Sequence, residues 1–330
     1  MRTGNRKVLT LAVLALVAAT ALQAQQRTDF HIRRTIPLGG GGGWDYLRFD
    51  PDANRLFIAR ETRVMVVDLN AGKLAAEIPD TPGVHGVALD AARKRGVTSN
   101  GRANTASIFD LDSLKVVGSV PTGAKPDGIL WEPFTKTVLT MNGAANSVTM
   151  IDTGTQQPVA AIALPGRPET AVSDGKGKVF VNLEDRAQIA EIDLAKRAVV
   201  HTWDLAGCTE PTGLAIDIAQ ARIFSGCHNG VLIVVDASSG TNIAKAPIGM
   251  GVDAVAFDQE MHTIFTSNKE GSVSVIEQAD ADTYRNVQTV TTLPGAKTIA
   301  LDPSRHLIYT VPNRQDGSGV PQFVLLEIGP

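Results

Sequence analysis

The chain has 330 residues, of which 43% are hydrophobic and 20% charged, so it is neither a disordered tail nor a mini-fold. Its formal net charge of −3 argues against bulk attraction to nucleic-acid phosphates, and two cysteines exclude a disulfide framework or a multi-cysteine metal site. Aromatic residues are only 5%, while Gly (31) and Pro (17) are plentiful, which suits a fold rich in turns.

Residues 1–24 read as a secretory signal peptide. Arg2, Arg6 and Lys7 precede an apolar run from Val8 to Leu22, and small residues allow cleavage after Ala21 or after Ala24. The run of about 15 residues is short of the ~20 that span a bilayer. Removing the three basic residues of this segment leaves 28 basic residues against 34 acids, a net charge of −6. The expectation is a periplasmic or secreted protein with no membrane span after cleavage. GGGGG (39–43) lacks the Lys-Ser/Thr of a phosphate cradle and predicts a bend.

From residue 45 onward the chain repeats. Short β-rich runs end in an acid at Asp50, Asp90, Glu132, Asp174, Asp217, Asp258 and Asp302, at intervals of 40 to 44 residues. A second series ends at Asp68, Asp110, Asp152, Asp193, Asp236, Glu277 and Glu327, at intervals of 41 to 43 and finally 50. Each unit resolves into four short strands, as in GVALD (86–90), RGVTS (95–99), ASIFD (106–110) and VVGSV (116–120), separated by turn-rich segments. Four strands per unit of this length predict a propeller blade. The fold class is therefore all-β, a seven-bladed β-propeller of four antiparallel strands per blade, occupying residues 25–330 as a single domain. The seventh unit has only three strands. Residues 30–38, FHIRRTIPL, resemble the other fourth strands, so the N-terminal strand should complete the last blade. An insertion, EQADADTYRNVQ (277–288), together with the RQDGSG loop (314–319), accounts for the interval of 50.

The antiparallel meander sends the 4→1 and 2→3 loops to one face and the 1→2 and 3→4 turns to the other. The varied loops of the first face carry the candidate ligand residues. The 4→1 loops offer Trp44, Asp45, His85, Asp127, Glu169, Asp253 and Lys297; the 2→3 loops offer Arg60, Asn100, Arg102, Asn142, Glu184, His228, Asn268 and Arg314. Asp127, Glu169 and Asp253 are candidate oxygen ligands for a hard cation such as Ca²⁺; no other cofactor is expected. His85 and His228 could pair with a carboxylate for acid–base work. No catalytic or metal-binding motif of fixed spacing appears. Cys208 and Cys227 fall on the same face of blade five, and export would oxidise them to a disulfide; two free thiols, or a metal pair with His228, are the alternatives.

The pieces IFTSNKEGSVSVIE (264–277), VLTMNGAANSVTMID (138–152) and LPGAKTIALDPSRHLIYTV (293–311), with the tail QFVLLEIG, resemble the YVTN-type repeats of exported bacterial YncE-like propellers. The tetrapeptide itself is intact in no blade; FTSN (265–268) and YTVPN (309–313) come nearest. The resemblance implies a non-enzymatic binding or scaffold propeller; the expected partner is a protein or small polar ligand at the channel mouth, and the expected state is a monomer. The alternative is a propeller enzyme of the lactonase or quinoprotein-like sort with a cation site there. A third reading, single-stranded nucleic-acid binding through Arg60, Arg102 and Trp44, runs against the charge of −6.

Overall fold

The computed structural model describes residues 29–40, 42–315 and 321–330. The expected signal segment lies outside them. Seven antiparallel sheets follow one another round a ring. Blade one comprises Leu47–Asp50, Arg55–Arg60, Arg63–Asp68 and Lys73–Ile78; blades two to six repeat that order through to Thr283–Thr291. Blade seven orders Ile299–Asp302, Leu307–Thr310 and Pro321–Gly329, and its outer strand is His31–Pro37 from the chain start. The N-terminal strand thus closes the ring, as its sequence predicts. A short extra strand, Asn313–Gln315, also pairs with Pro321–Gly329.

The first strand of every blade packs against the first strands of both neighbours, so the seven together line the central channel. Second and third strands are buried almost throughout, with cores such as Phe57, Val66, Val87 and Phe109 between blades one and two. Fourth strands alternate exposed and half-buried residues, as the outer edge of each sheet requires.

The periodic acids have a structural cause. Asp50, Asp90, Glu132, Asp174, Asp217, Asp258 and Asp302 each accept hydrogen bonds from backbone N–H groups of the 1→2 turn that follows. Several also tie one blade to the next: Ser173 donates to Glu132, Gln278 to Asp217, and His306 lies 2.7 Å from Asp258. The second series caps the 3→4 turns in the same way at Asp68, Asp110, Asp152, Asp193 and Asp236. Blade six departs for a physical reason. The insertion forms no separate loop but lengthens the hairpin to Ser272–Asp280 and Thr283–Thr291, so Asp280 caps the turn in place of Glu277.

Cys208 and Cys227 form the expected disulfide, with Cα atoms 5.4 Å apart. The glycine run is a bend: Gly39, Gly40 and Gly42 take left-handed φ, and the Gly43 N–H donates to Glu61 Oε1 at 3.0 Å.

Candidate functional site

Seven residues stand five positions before the acid that ends each innermost strand: Asp45, His85, Asp127, Glu169, Thr212, Asp253 and Lys297. The blade repeat therefore sets them at equivalent heights round one mouth of the channel. Thr212 turns inward and donates to the Val252 carbonyl, which leaves four carboxylates, one imidazole and one ammonium. The next position is small in six blades (Gly86, Gly128, Thr170, Gly213, Ala254, Thr298) and tyrosine in the first. Those small residues leave room for Tyr46. It crosses the mouth to blade four, where its hydroxyl donates to Glu169 Oε1 at 2.7 Å and meets Thr170 Oγ1 at 3.1 Å. A Cβ on Gly86 would come within 3.6 Å of the Tyr46 ring and 2.8 Å of Ile129.

The charges are coupled. His85 Nδ1 lies 2.6 Å from Asp45 Oδ2 and 3.3 Å from Asp127 Oδ1. Lys297 Nζ lies 2.6 Å from Asp253 Oδ2 and 3.7 Å from Asp45 Oδ1. Burial and the repulsion of Asp45 lift the Asp127 carboxyl from its ordinary 3.8 to about 6. Burial and Asp127 hold Glu169 well above the usual carboxylate range, against the opposing hydrogen bond from Tyr46. Burial also raises Asp253, although Lys297 opposes it. Burial disfavours the charged forms of His85 and Lys297, but their carboxylate neighbours outweigh it and both pKa values rise.

Several expected ligand residues are placed elsewhere. Arg60 is fully buried at the blade one–blade seven seam, its guanidinium 3.6 Å above the Phe323 ring and donating to the Gly40 carbonyl; burial and Arg63 lower its pKa to about 10. It is therefore closed to a ligand or a nucleic acid. Asn142 and Asn268, like Asn100, are also buried. Each accepts from the threonine two residues before it (Thr140, Thr266, Thr98) and donates to a hydroxyl of the third strand (Thr149, Ser274, Ser107). A polar side chain held between blades must be satisfied internally, and these asparagines are cross-strand staples. His228 pairs with Glu210 at 2.8 Å on the exposed rim and not with the ring. Glu184 lies in a second recess of about 230 Å³ and pairs with Arg167 at 2.9 Å. The Arg314 side chain lies outside the described residues.

Trp44, Asp45, His85 and Arg102 come together along a cleft of about 410 Å³, which Glu61 and Lys125 also line. Asp127, Glu169, Asp253 and Lys297 stay with the ring. Among the described residues, the cluster within metal-ligating reach is Asp45, His85 and Asp127, whose ligand atoms lie within 4.8 Å of one another. Of the expected calcium trio only Asp127 belongs to it, because Glu169 is engaged by Tyr46 and Asp253 by Lys297. The sequence reading missed Tyr46, Glu61 and Lys125; aligning the residue after each ring position would have exposed Tyr46 as the one large member.

Comparisons with known proteins speak to the fold. No family model and no curated protein matches the chain. Among solved structures, Kuenenia stuttgartiensis hydrazine synthase superposes with a TM-score of 0.74 at 17% identity, covering 85% of this chain and 95% of that one. The WD40 repeats of RRP9 give 0.76 at 11% identity (91% and 97% coverage), and U3-55K gives 0.75 at 11% identity (90% and 98%). At such identities the likeness is one of propeller architecture.

Proposed function

We propose that this chain is an exported, non-enzymatic binding propeller of the YVTN-type, YncE-like kind, whose channel mouth receives a polar ligand bearing positive charge. The repeat pattern supports the kinship, and the signal-like leader and the disulfide are in keeping with an oxidising compartment. One observation carries the reading. Four carboxylates converge at the mouth with one lysine and one histidine to balance them, and the pKa values of three are raised. A cation would relieve that repulsion. Thermal melting with Ca²⁺, Mn²⁺ or spermidine tests this. At least one should raise the melting temperature of the native protein, as ligand linkage requires, and not that of a D127N/E169Q variant. No shift with any of the three contradicts the reading.

A second reading, a lactonase or quinoprotein-like enzyme, draws on the Asp45–His85–Asp127 cluster, which could hold a Lewis-acidic cation beside the open cleft. Hydrolysis of a γ-lactone by the Mn²⁺-loaded protein, lost in His85→Ala, would establish it; absence of turnover leaves the binding reading in place.

A further inference from the structure

The cleft beside the mouth differs in electrical character from the ring. Its acids are engaged: Asp45 by His85 and Lys297, and Glu61 by the Gly43 N–H. Its cations are not. Arg102 and Lys125, both exposed, have no side-chain hydrogen bond or ion pair among the described residues. His85 gives its Nδ1 to Asp45, and among the described residues its Nε2 has no hydrogen-bond partner. That nitrogen lies against Gly101, where an added Cβ would come within 2.7 Å of Nε2. Glycine at 101 leaves room for the imidazole edge in the cleft wall. The remaining wall is Trp44, half-buried and tilted against Phe323 with centroids 5.4 Å apart.

We infer that this cleft binds a small organic anion, its acid group held by Arg102, Lys125 and the His85 Nε2–H, and its flat apolar body laid along Trp44. Three donors from three neighbouring segments suit the several lone pairs of a carboxylate or phosphate. An aromatic wall supplies buried area and sets the orientation of the body. The inference rests on the reading that the mouth face is the binding face. It extends that reading: a ligand carrying both charges would place its anion in the cleft and its cation over the ring.

The test uses three probes of one shape: benzoate, phenyl phosphate and benzylamine. Titrations are followed by calorimetry and by tryptophan fluorescence, with Trp44→Phe identifying the reporting indole. Benzoate and phenyl phosphate should bind the full-length protein and quench Trp44, and benzylamine should not. R102Q/K125Q should weaken both anions by about tenfold or more, since a charge-assisted hydrogen bond supplies a large fraction of a small ligand's affinity. Both side chains are exposed, so an unchanged melting temperature confirms that the variant folds. Equal binding of benzylamine, unchanged anion binding in R102Q/K125Q, or no binding of either anion overturns the inference. The D127N/E169Q variant separates the two proposals. If the ring shows no cation response while the native protein still binds benzoate through Arg102 and Lys125, the ring reading falls and the cleft stands.

Discussion

On the turn face, Asp302 accepts from the backbone N–H groups of Ser304 and Arg305 and from the Arg305 guanidinium; on the mouth face, Asp127 has no backbone donor among the described residues and shares one histidine nitrogen with Asp45. Burial pushes both carboxyls up. At Asp302 the bonds from Ser304 and Arg305 outweigh burial and the pKa falls. At Asp127 the neighbouring carboxylate adds to burial and the pKa climbs to about 6. Asp236 behaves as Asp302 does, through Ser238 and Ser239, and Glu169 and Asp253 behave as Asp127 does. The same residue type, repeated at the same period, is a structural cap at one end of the blades and a strained charge at the other. Backbone donors from the following turn, and not the residue's identity, divide scaffold from site.

Ring closure underlies both faces. Deleting residues 29–38 removes blade seven's outer strand and exposes Pro321–Gly329 as an unpaired edge. Cooperative thermal unfolding should be lost; a truncated chain that melts like the full one breaks the account of closure. Next in size is the covalent staple of the mouth face. Reducing Cys208–Cys227, which closes a loop of 19 residues, should cost about 3 kcal/mol in denaturant unfolding if the chain-entropy account holds.

The caps come next. Asp217, 1% exposed, accepts from the Ala219 and Gln220 N–H groups and from Gln278 of the next blade. Asp217→Ala should cost about 2–3 kcal/mol, because buried donors are left unmade. A loss below about half a kcal/mol, the scale of an ordinary surface change, would blur the distinction between the faces.

Much of this contrast was legible in the chain. The acid period and the three-strand seventh unit dictate blade number, strand count and closure. What the period hides is the purpose of each acid, because Asp302 and Asp253 look alike until a backbone N–H is placed beside one of them. Asn100, Asn142 and Asn268 illustrate the same blindness. Their Thr-x-Asn spacing, facing Ser or Thr on the third strand, was readable as a buried staple, yet the loop register alone suggests the mouth. Arg60 was misplaced for another reason: Phe323, whose ring it covers, lies 263 residues away in sequence. Tyr46 reaches a partner three blades on, which no local pattern announces.

The pH dependence sharpens the comparison most. A carboxyl with a raised pKa destabilises the fold once both states are ionised. The penalty is absent below pH 3.8, grows as pH rises, and is complete above about pH 6 for Asp127. Asp127→Asn should therefore gain about 3 kcal/mol at pH 8 and nothing at pH 3.5. Asp302 has the opposite sign: its stabilisation is present above its ordinary 3.8 and lost as pH falls through its lower folded value. His85 adds a counter-trend, with stability present below 6.5 and lost as pH rises through its raised folded value, and Asp45→Asn should remove it.

Side-chain carboxyl ¹³C NMR titration of the native protein, with Asp127→Asn and Asp302→Asn to assign the two resonances, reads the central claim directly. Asp127 should titrate near pH 6 while Asp302 titrates below 3.8. Two carboxyls titrating together at the ordinary aspartate value would contradict the division between a mouth of buried, mutually repelling carboxylates and a face of backbone-bonded caps.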